Sequence, residues 1–126
     1  MGKVTKENER WIFGWCWRYA VALNRFTGWP IRFVNGLSRT VLTEYVHCVV
    51  EMPDGRLFDA SGIVTIEELE KRYLLKGIYL TIPEPRHYHE YDMASQMDAE
   101  QAVDRQLRSI RHHEEQTSSG HRGASA

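Results

Sequence analysis

The sequence lacks the features that mark several large classes of protein. Its 126 residues include only two cysteines, too few for a disulfide framework, and the formal net charge is −1. With so little net charge, the chain carries no electrostatic footprint for nucleic acid or for an anionic membrane. No apolar run approaches the roughly 20 residues that a membrane span needs, and the polar first residues do not read as a secretory signal. These absences predict a cytoplasmic protein with free thiols and no nucleic-acid or membrane partner.

The apolar pattern that is present predicts one small domain of the α+β class. A helix is expected from about Trp15 to Phe26, closed by Gly28 and Pro30. A capping box formed by Thr65 and Glu68 predicts a second helix. The expected elements after the first helix are strands over Ile31–Val34, Val41–Met52, residues 56–63 and Ile78–Ile82, a loop over residues 35–40, and the second helix over Ile66–Leu75.

The last third of the chain is predicted to be a polar amphipathic helix, from about Ser95 to His112. Its thin apolar stripe consists of Met97, Ala99, Val103, Leu107 and Ile110. We therefore divide the chain into a core domain over residues 1–92, a C-terminal helix over 93–116 and a disordered tail over 117–126. The helix is expected to dock on the core or on a partner protein.

Cys16 is the first candidate for chemistry, although a lone cysteine is more often a small buried core residue. It lies near the start of the first predicted helix, where free N–H groups and the helix dipole favour a thiolate. Gly14 leaves space just before it for a substrate backbone. Helical spacing puts Cys16 on the apolar face with Tyr19, Ala20 and Leu23.

His47 and Asp59 are predicted to lie on one face of a β-hairpin. The sequence Met52-Pro-Asp-Gly-Arg56 suits a three-residue loop in which Gly55 has positive φ. That loop pairs Met52 with Arg56, and by extension His47 with Ser61, so His47 and Asp59 become diagonal neighbours. Cys48 then points to the other face and is interpreted as uninvolved.

Together these residues suggest a nucleophile, a base and an orienting carboxylate. His47 would accept the proton of the Cys16 thiol, Asp59 would fix the tautomer of the imidazole, and the backbone N–H of Cys16 would be an oxyanion donor. Two alternatives stay open: His47 as a hydrogen-bonded core residue, and Asp59 as a strand-end residue bonding nearby backbone N–H groups.

The ordered set of motifs resembles the transglutaminase-like branch of the papain-like cysteine enzymes. The residues that carry this resemblance are Gly14, Cys16, Ala20, Gly28-Trp29-Pro30, His47 and Asp59, which span roughly residues 13–63. The resemblance implies a cysteine-bearing helix packed on a small antiparallel sheet, with Cys16, His47 and Asp59 as the catalytic residues. It also implies acyl transfer through a thioester, as in a thiol protease, deamidase or transglutaminase, without a metal or other cofactor.

Two departures from that family favour an enzyme with a narrow substrate over a general peptidase. The segment between the cysteine and Gly28-Trp29-Pro30 is shorter by about one helical turn, and no glutamine precedes Cys16, so Asn8 or Trp11 would have to serve as the side-chain oxyanion donor. The protein or peptide substrate is expected to contact Gly14 and one or both of Trp15 and Trp17.

Three rival interpretations accompany this prediction. The same fold could serve as a catalytically inactive binding or inhibitory module. Acetyl transfer from coenzyme A uses the same order of residues but normally a much larger chain. His87 and His89, with Glu90 and Asp92 nearby, could form a metal site, although a polar loop is the simpler interpretation and we predict no metal.

Overall fold

The computed structural model of the protein describes residues 3–87 and 93–125, with only the backbone for residue 86 and residues 112–125. These residues form an α+β fold with a five-stranded antiparallel sheet. In chain order its elements are α1 (Glu9–Ile12), α2 (Cys16–Thr27), β1 (Ile31–Ser38), β2 (Val41–Glu51), β3 (Leu57–Asp59), β4 (Gly62–Val64), α3 (Ile66–Tyr73), β5 (Lys76–Thr81), a 3₁₀ turn (Pro85–His87) and α4 (Met93–Ser125).

The sheet separates two apolar clusters. Its strand order is β4-β3-β2-β1-β5. Because side chains alternate along a strand, β2 sends Cys48 and Val50 into the cluster that contains α2 and α4, and Val49 into the cluster that contains α3. β2 is the middle strand of the sheet, and its side chains contribute to both clusters.

The predicted β2–β3 hairpin is confirmed in its turn and register. The amide of Met52 donates to the Arg56 carbonyl at 2.7 Å, and the amide of Gly55 donates to the Met52 carbonyl at 2.9 Å. Gly55 has φ +88°, the left-handed conformation that the three-residue loop requires. The register pairs Val50 with Phe58, so Asp59 falls on the same face as His47. This strand pairing ends before the predicted His47–Ser61 pair.

Several predicted strand bounds differ from the structure. The second strand ends at Glu51 rather than Met52, and the last strand spans Lys76–Thr81 rather than Ile78–Ile82. The two larger errors involve polar or small residues. The loop expected over residues 35–40 is mostly strand, because the buried Asn35 amide donates to the carbonyls of Phe33 and Tyr79 and accepts from the amide of Tyr45. The single strand expected over residues 56–63 is two short strands, since Asp59 accepts from the amide of Ser61 and turns the chain there.

The ends of α3 agree only in part with the prediction. Thr65 accepts a hydrogen bond from the amide of Glu68 at 3.1 Å, which confirms the N-terminal cap. The helix ends at Tyr73 rather than Leu75, because Leu74 adopts a left-handed conformation (φ +55°) and its amide bonds to Glu70. Leu75 is instead buried against β1 and β5 residues.

The C-terminal helix packs on the core by part of its apolar stripe. Ala99 and Val103 are completely buried, and Leu107 is partly buried, in the apolar cluster that contains α2. Met97 and Ile110 are exposed. The helix spans Met93–Ser125, beyond both predicted ends, and the disorder of residues 117–126 stays a prediction. Among the residues that the structure describes, no helix has the length and apolarity to cross a membrane.

Candidate active site

The start of α2 presents Cys16 as the first residue of the helix. Trp15 is the N-cap and offers no side-chain hydrogen bond to the first turn. Gly14 is exposed and has φ +106°, a conformation that side chains rarely adopt. The predicted position of Cys16 at a helix N-terminus is therefore observed, one residue later than the expected helix start.

His47 and Asp59 form a buried hydrogen-bonded pair. Nε2 of His47 lies 2.8 Å from Oδ2 of Asp59, and the two side chains are 0% and 2% exposed. This contact follows from the hairpin register, which places the two residues diagonally on one face of β2 and β3. Among the described residues, the second ring nitrogen of His47, Nδ1, is buried without an aligned hydrogen bond. Nδ1 is therefore the nitrogen available to exchange a proton with a nucleophile.

Cys16 interacts with both His47 and Cys48, although these two residues point to opposite faces of β2. β3 pairs with β2 only at Val50 and Glu51, so neither His47 nor Cys48 has a paired residue on β3. Cys48 thus has a role that the sequence analysis did not assign to it.

The thiolate of Cys16 is the favoured form of this side chain. Its pKa falls to about 4, because a hydrogen bond from the Cys48 thiol and the charge of the neighbouring His47 favour the ionised form; burial opposes both. The same contact raises the pKa of Cys48, which also loses hydration by burial, so Cys48 stays a neutral thiol. Neither cysteine is in a disulfide. Cys16 is the candidate nucleophile, and Cys48 is a hydrogen-bond donor to it.

The charged forms of His47 and Asp59 support each other. Burial disfavours the imidazolium, but the hydrogen bond to Asp59 and the neighbouring Cys16 raise the pKa of His47 above its usual value. Burial likewise disfavours the Asp59 carboxylate, yet its bonds to His47 and Ser61 and the charge of Arg72 lower its pKa to about 2. The lowered pKa values of Cys16 and Asp59 and the raised pKa of His47 therefore favour a thiolate, a carboxylate and an imidazolium.

Sequence reasoning missed two residues that hold Asp59. Nη1 of Arg72 lies 2.9 Å from Oδ2 of Asp59, and Nη2 of Arg72 lies 3.0 Å from Oγ of Ser61. Ser61 in turn donates its amide, at 2.8 Å, and its hydroxyl to Oδ1 of Asp59. The Asp-x-Ser spacing was a usable signal for Ser61. Nothing local in the sequence distinguishes Arg72 from its basic neighbour Lys71.

Tyr73 connects the base to the segment before the nucleophile. Its ring lies against His47, with centroids 5.1 Å apart and planes 35° apart. Its hydroxyl donates to the carbonyl of Ile12 at 2.8 Å, and Phe13 packs edge-on against its ring. Tyr73 therefore links α3 to the short connection that leads from α1 to Cys16.

The three predicted substrate contacts differ in their surroundings. Trp17 is buried and stacks on Phe33 with centroids 5.5 Å apart, so it is a core residue. Trp15 is partly exposed and contacts the guanidinium of Arg18. Gly14 is exposed next to Cys16. Of the two tryptophans, Trp15 is the one that a substrate at Cys16 can reach.

A cavity of about 440 Å³ lies between α1, α2, α4 and the β3–β4 turn. Its lining includes Asn8, Trp11, Tyr19, Ser61 and Gln106 but none of Cys16, His47 or Asp59. Asn8 and Trp11, the two candidates for an oxyanion side chain, thus face this cavity; Asn8 bonds to the carbonyl of Ala60 and Trp11 packs on Trp15.

No group of three or more potential ligand side chains that could hold a metal ion occurs within the described parts of the chain. In the histidine-rich segment, Nδ1 of His87 accepts from the amide of Glu84 at 2.9 Å, and its ring packs on Phe33 and Tyr45. His89, Glu90 and Asp92 lie outside the described residues.

Comparison with protein-family models, with curated proteins and with solved structures finds no match for this chain.

Proposed function

We propose that the protein is a cysteine-dependent acyl-transfer enzyme with a papain-like or transglutaminase-like core. The single observation that carries the proposal is the buried His47–Asp59 pair, 2.8 Å apart, next to a thiol whose ionised form is favoured. Removing an ionised pair from water is costly, so a buried pair of this kind calls for an explanation. A hydrogen-bonded imidazole and carboxylate beside a thiolate is also the arrangement that nucleophilic catalysis requires.

In the proposed reaction, the Cys16 thiolate attacks the carbonyl carbon of an amide. The carbonyl oxygen becomes an oxyanion, which the backbone N–H of Cys16 can stabilise. Nδ1 of His47 donates its proton to the leaving amine, and a thioester on Cys16 remains. Water or a second amine then attacks the thioester, and His47 takes up the proton that the attacking group releases. Asp59 keeps the imidazole oriented in both steps.

A protein or peptide substrate fits this site better than a small metabolite. Cys16 is partly exposed beside the exposed Gly14 and the partly exposed Trp15, and none of the triad residues line the cavity of about 440 Å³. A surface site of this kind suits an extended chain that lies across the start of α2 more than a ligand that must be enclosed.

The separation of that cavity from Cys16 also favours a second candidate, a binding or inhibitory module that does not catalyse. In this alternative the buried His47–Asp59 pair is structural, and the fold recognises a partner protein through its surface. The two candidates differ in whether Cys16 becomes acylated.

Incubation with p-nitrophenyl acetate separates these candidates. The enzyme is expected to release a burst of p-nitrophenol and to carry an acetyl group on Cys16, located by peptide mass spectrometry. Cys16→Ser removes the thiol and should eliminate the burst, while Cys48→Ser should keep it. Equal, slow acetylation of both cysteines would contradict the enzymatic function and support the binding module.

A further inference from the structure

The last turn of α3 holds an arginine that is buried against the proposed catalytic pair. The Arg72 side chain is only 7% exposed, although it carries a full charge. Its two terminal nitrogens contact different residues: Nη1 is 2.9 Å from Asp59 Oδ2, and Nη2 is 3.0 Å from Ser61 Oγ. A planar guanidinium that bridges two acceptors in this way fixes their relative geometry better than a lysine could.

The hydrogen bonds to Asp59 divide between its two oxygens. Oδ2 accepts from His47 and Arg72, and Oδ1 accepts from the amide and hydroxyl of Ser61. Arg72 and Ser61 therefore hold the carboxylate in place even when the His47 ring gives up its proton. A carboxylate that cannot rotate presents one fixed acceptor to Nε2 of His47 throughout a catalytic cycle.

We infer that Arg72 is a positioning residue of this site, which acts through Asp59 and together with Ser61 to orient the His47 ring toward Cys16. The inference rests on the proposed acyl-transfer function and adds Arg72 to the Cys16, His47 and Asp59 triad. Arg72 does not touch the reacting atoms.

Arg72 also affects the charge balance of the site. The titratable groups that face His47 are Cys16 from α2, Asp59 from β3 and Tyr73 from α3, and Arg72 from α3 lies behind Asp59. Because Arg72 shares Oδ2 with His47, its cation weakens the attraction of the carboxylate for the imidazolium proton. Removal of the cation should therefore make His47 harder to deprotonate.

The test compares Arg72→Met and Arg72→Lys with Lys71→Met, a matched control that removes an exposed cation one residue away. NMR titration of the His47 ring reports the charge effect. The midpoint is expected to rise by about one pH unit in Arg72→Met and to stay near the wild-type value in Arg72→Lys and Lys71→Met. A residue with a purely structural role would lower stability without moving this midpoint.

The rate of Cys16 acetylation by p-nitrophenyl acetate reports the positioning effect. It is expected to fall roughly tenfold in Arg72→Met, to recover partly in Arg72→Lys, and to remain unchanged in Lys71→Met. Should Arg72→Met fail to fold, Ser61→Ala tests the same bridge without removing a charge, and a loss of roughly two- to tenfold is expected.

Variants at Arg72 and Ser61 that match Lys71→Met in both measurements would overturn the inference. If wild-type Cys16 is not acetylated, the proposed function fails, but the His47 titration still decides whether Arg72 acts on the base.

Discussion

The role of Cys48 gives a prediction whose size can be worked out from the structure. Cys48 is 6% exposed, and its thiol provides the largest single contribution to the low pKa of Cys16. A hydrogen bond to a charged acceptor is worth about 1.5–3 kcal/mol, and a thiol is a weak donor, so the lower value applies. Since one pKa unit corresponds to about 1.4 kcal/mol, Cys48→Ala should raise the pKa of Cys16 by about one unit.

The assay is the rate of alkylation by iodoacetamide as a function of pH. Cys48→Ala is suited to it because Cys16 is then the only cysteine of the chain, and total thiol loss reports on it directly. Cys48→Ser is the matched control, because its hydroxyl restores a donor at the same position. Circular dichroism checks the fold, since the loss of a buried sulfur costs about 1 kcal/mol. An identical midpoint in wild type and Cys48→Ala would refute the assigned role of Cys48.

Three further predictions address the other parts of the site. In His47→Ala, the midpoint of the pH dependence of Cys16 alkylation by iodoacetamide, followed by peptide mass spectrometry, should rise because the His47 charge no longer favours the thiolate; an unchanged midpoint would exclude His47 as its partner. Because the pKa of Asp59 is lowered from 3.8 to about 2, its ionised form stabilises the fold above pH 4, and about 2.5 kcal/mol is lost progressively as pH falls from about 5 to about 1. Urea unfolding should show this loss in the wild type and in the exposed control Asp54→Asn but not in Asp59→Asn. In Tyr73→Phe, the Ile12 carbonyl loses its partner, so the free energy of unfolding should fall by about 1 kcal/mol; an unchanged value would mean that the link between α3 and α1 is not stabilising.

The hairpin was predictable because its turn residues determine its register. Pro53, Asp54 and Gly55 specify a three-residue loop, and a strand's two-residue alternation then places His47 and Asp59 on one face. The conclusion depends on a short stretch of chain, so local rules were sufficient. The position of Cys16 at the start of a helix was equally local.

Contacts between distant segments were not predictable in this way. Cys48 points away from His47, as strand alternation requires, yet Cys16 interacts with both residues. The contact between Arg72 and Asp59 depends on how α3 packs against the sheet. No spacing in the sequence reveals that packing. Asn35 was assigned to a loop because its hydrogen-bond partners, on β2 and β5, are likewise distant in sequence.

The pH dependence of Cys16 alkylation in the wild-type protein tests the central claim most directly. Iodoacetamide labelling from pH 3 to 10, followed by peptide mass spectrometry, gives a separate midpoint for each cysteine. We expect Cys16 to be alkylated with a midpoint near pH 4, while Cys48 stays unreactive up to much higher pH. A midpoint for Cys16 at or above about 8.5, the value of an ordinary thiol, would contradict it.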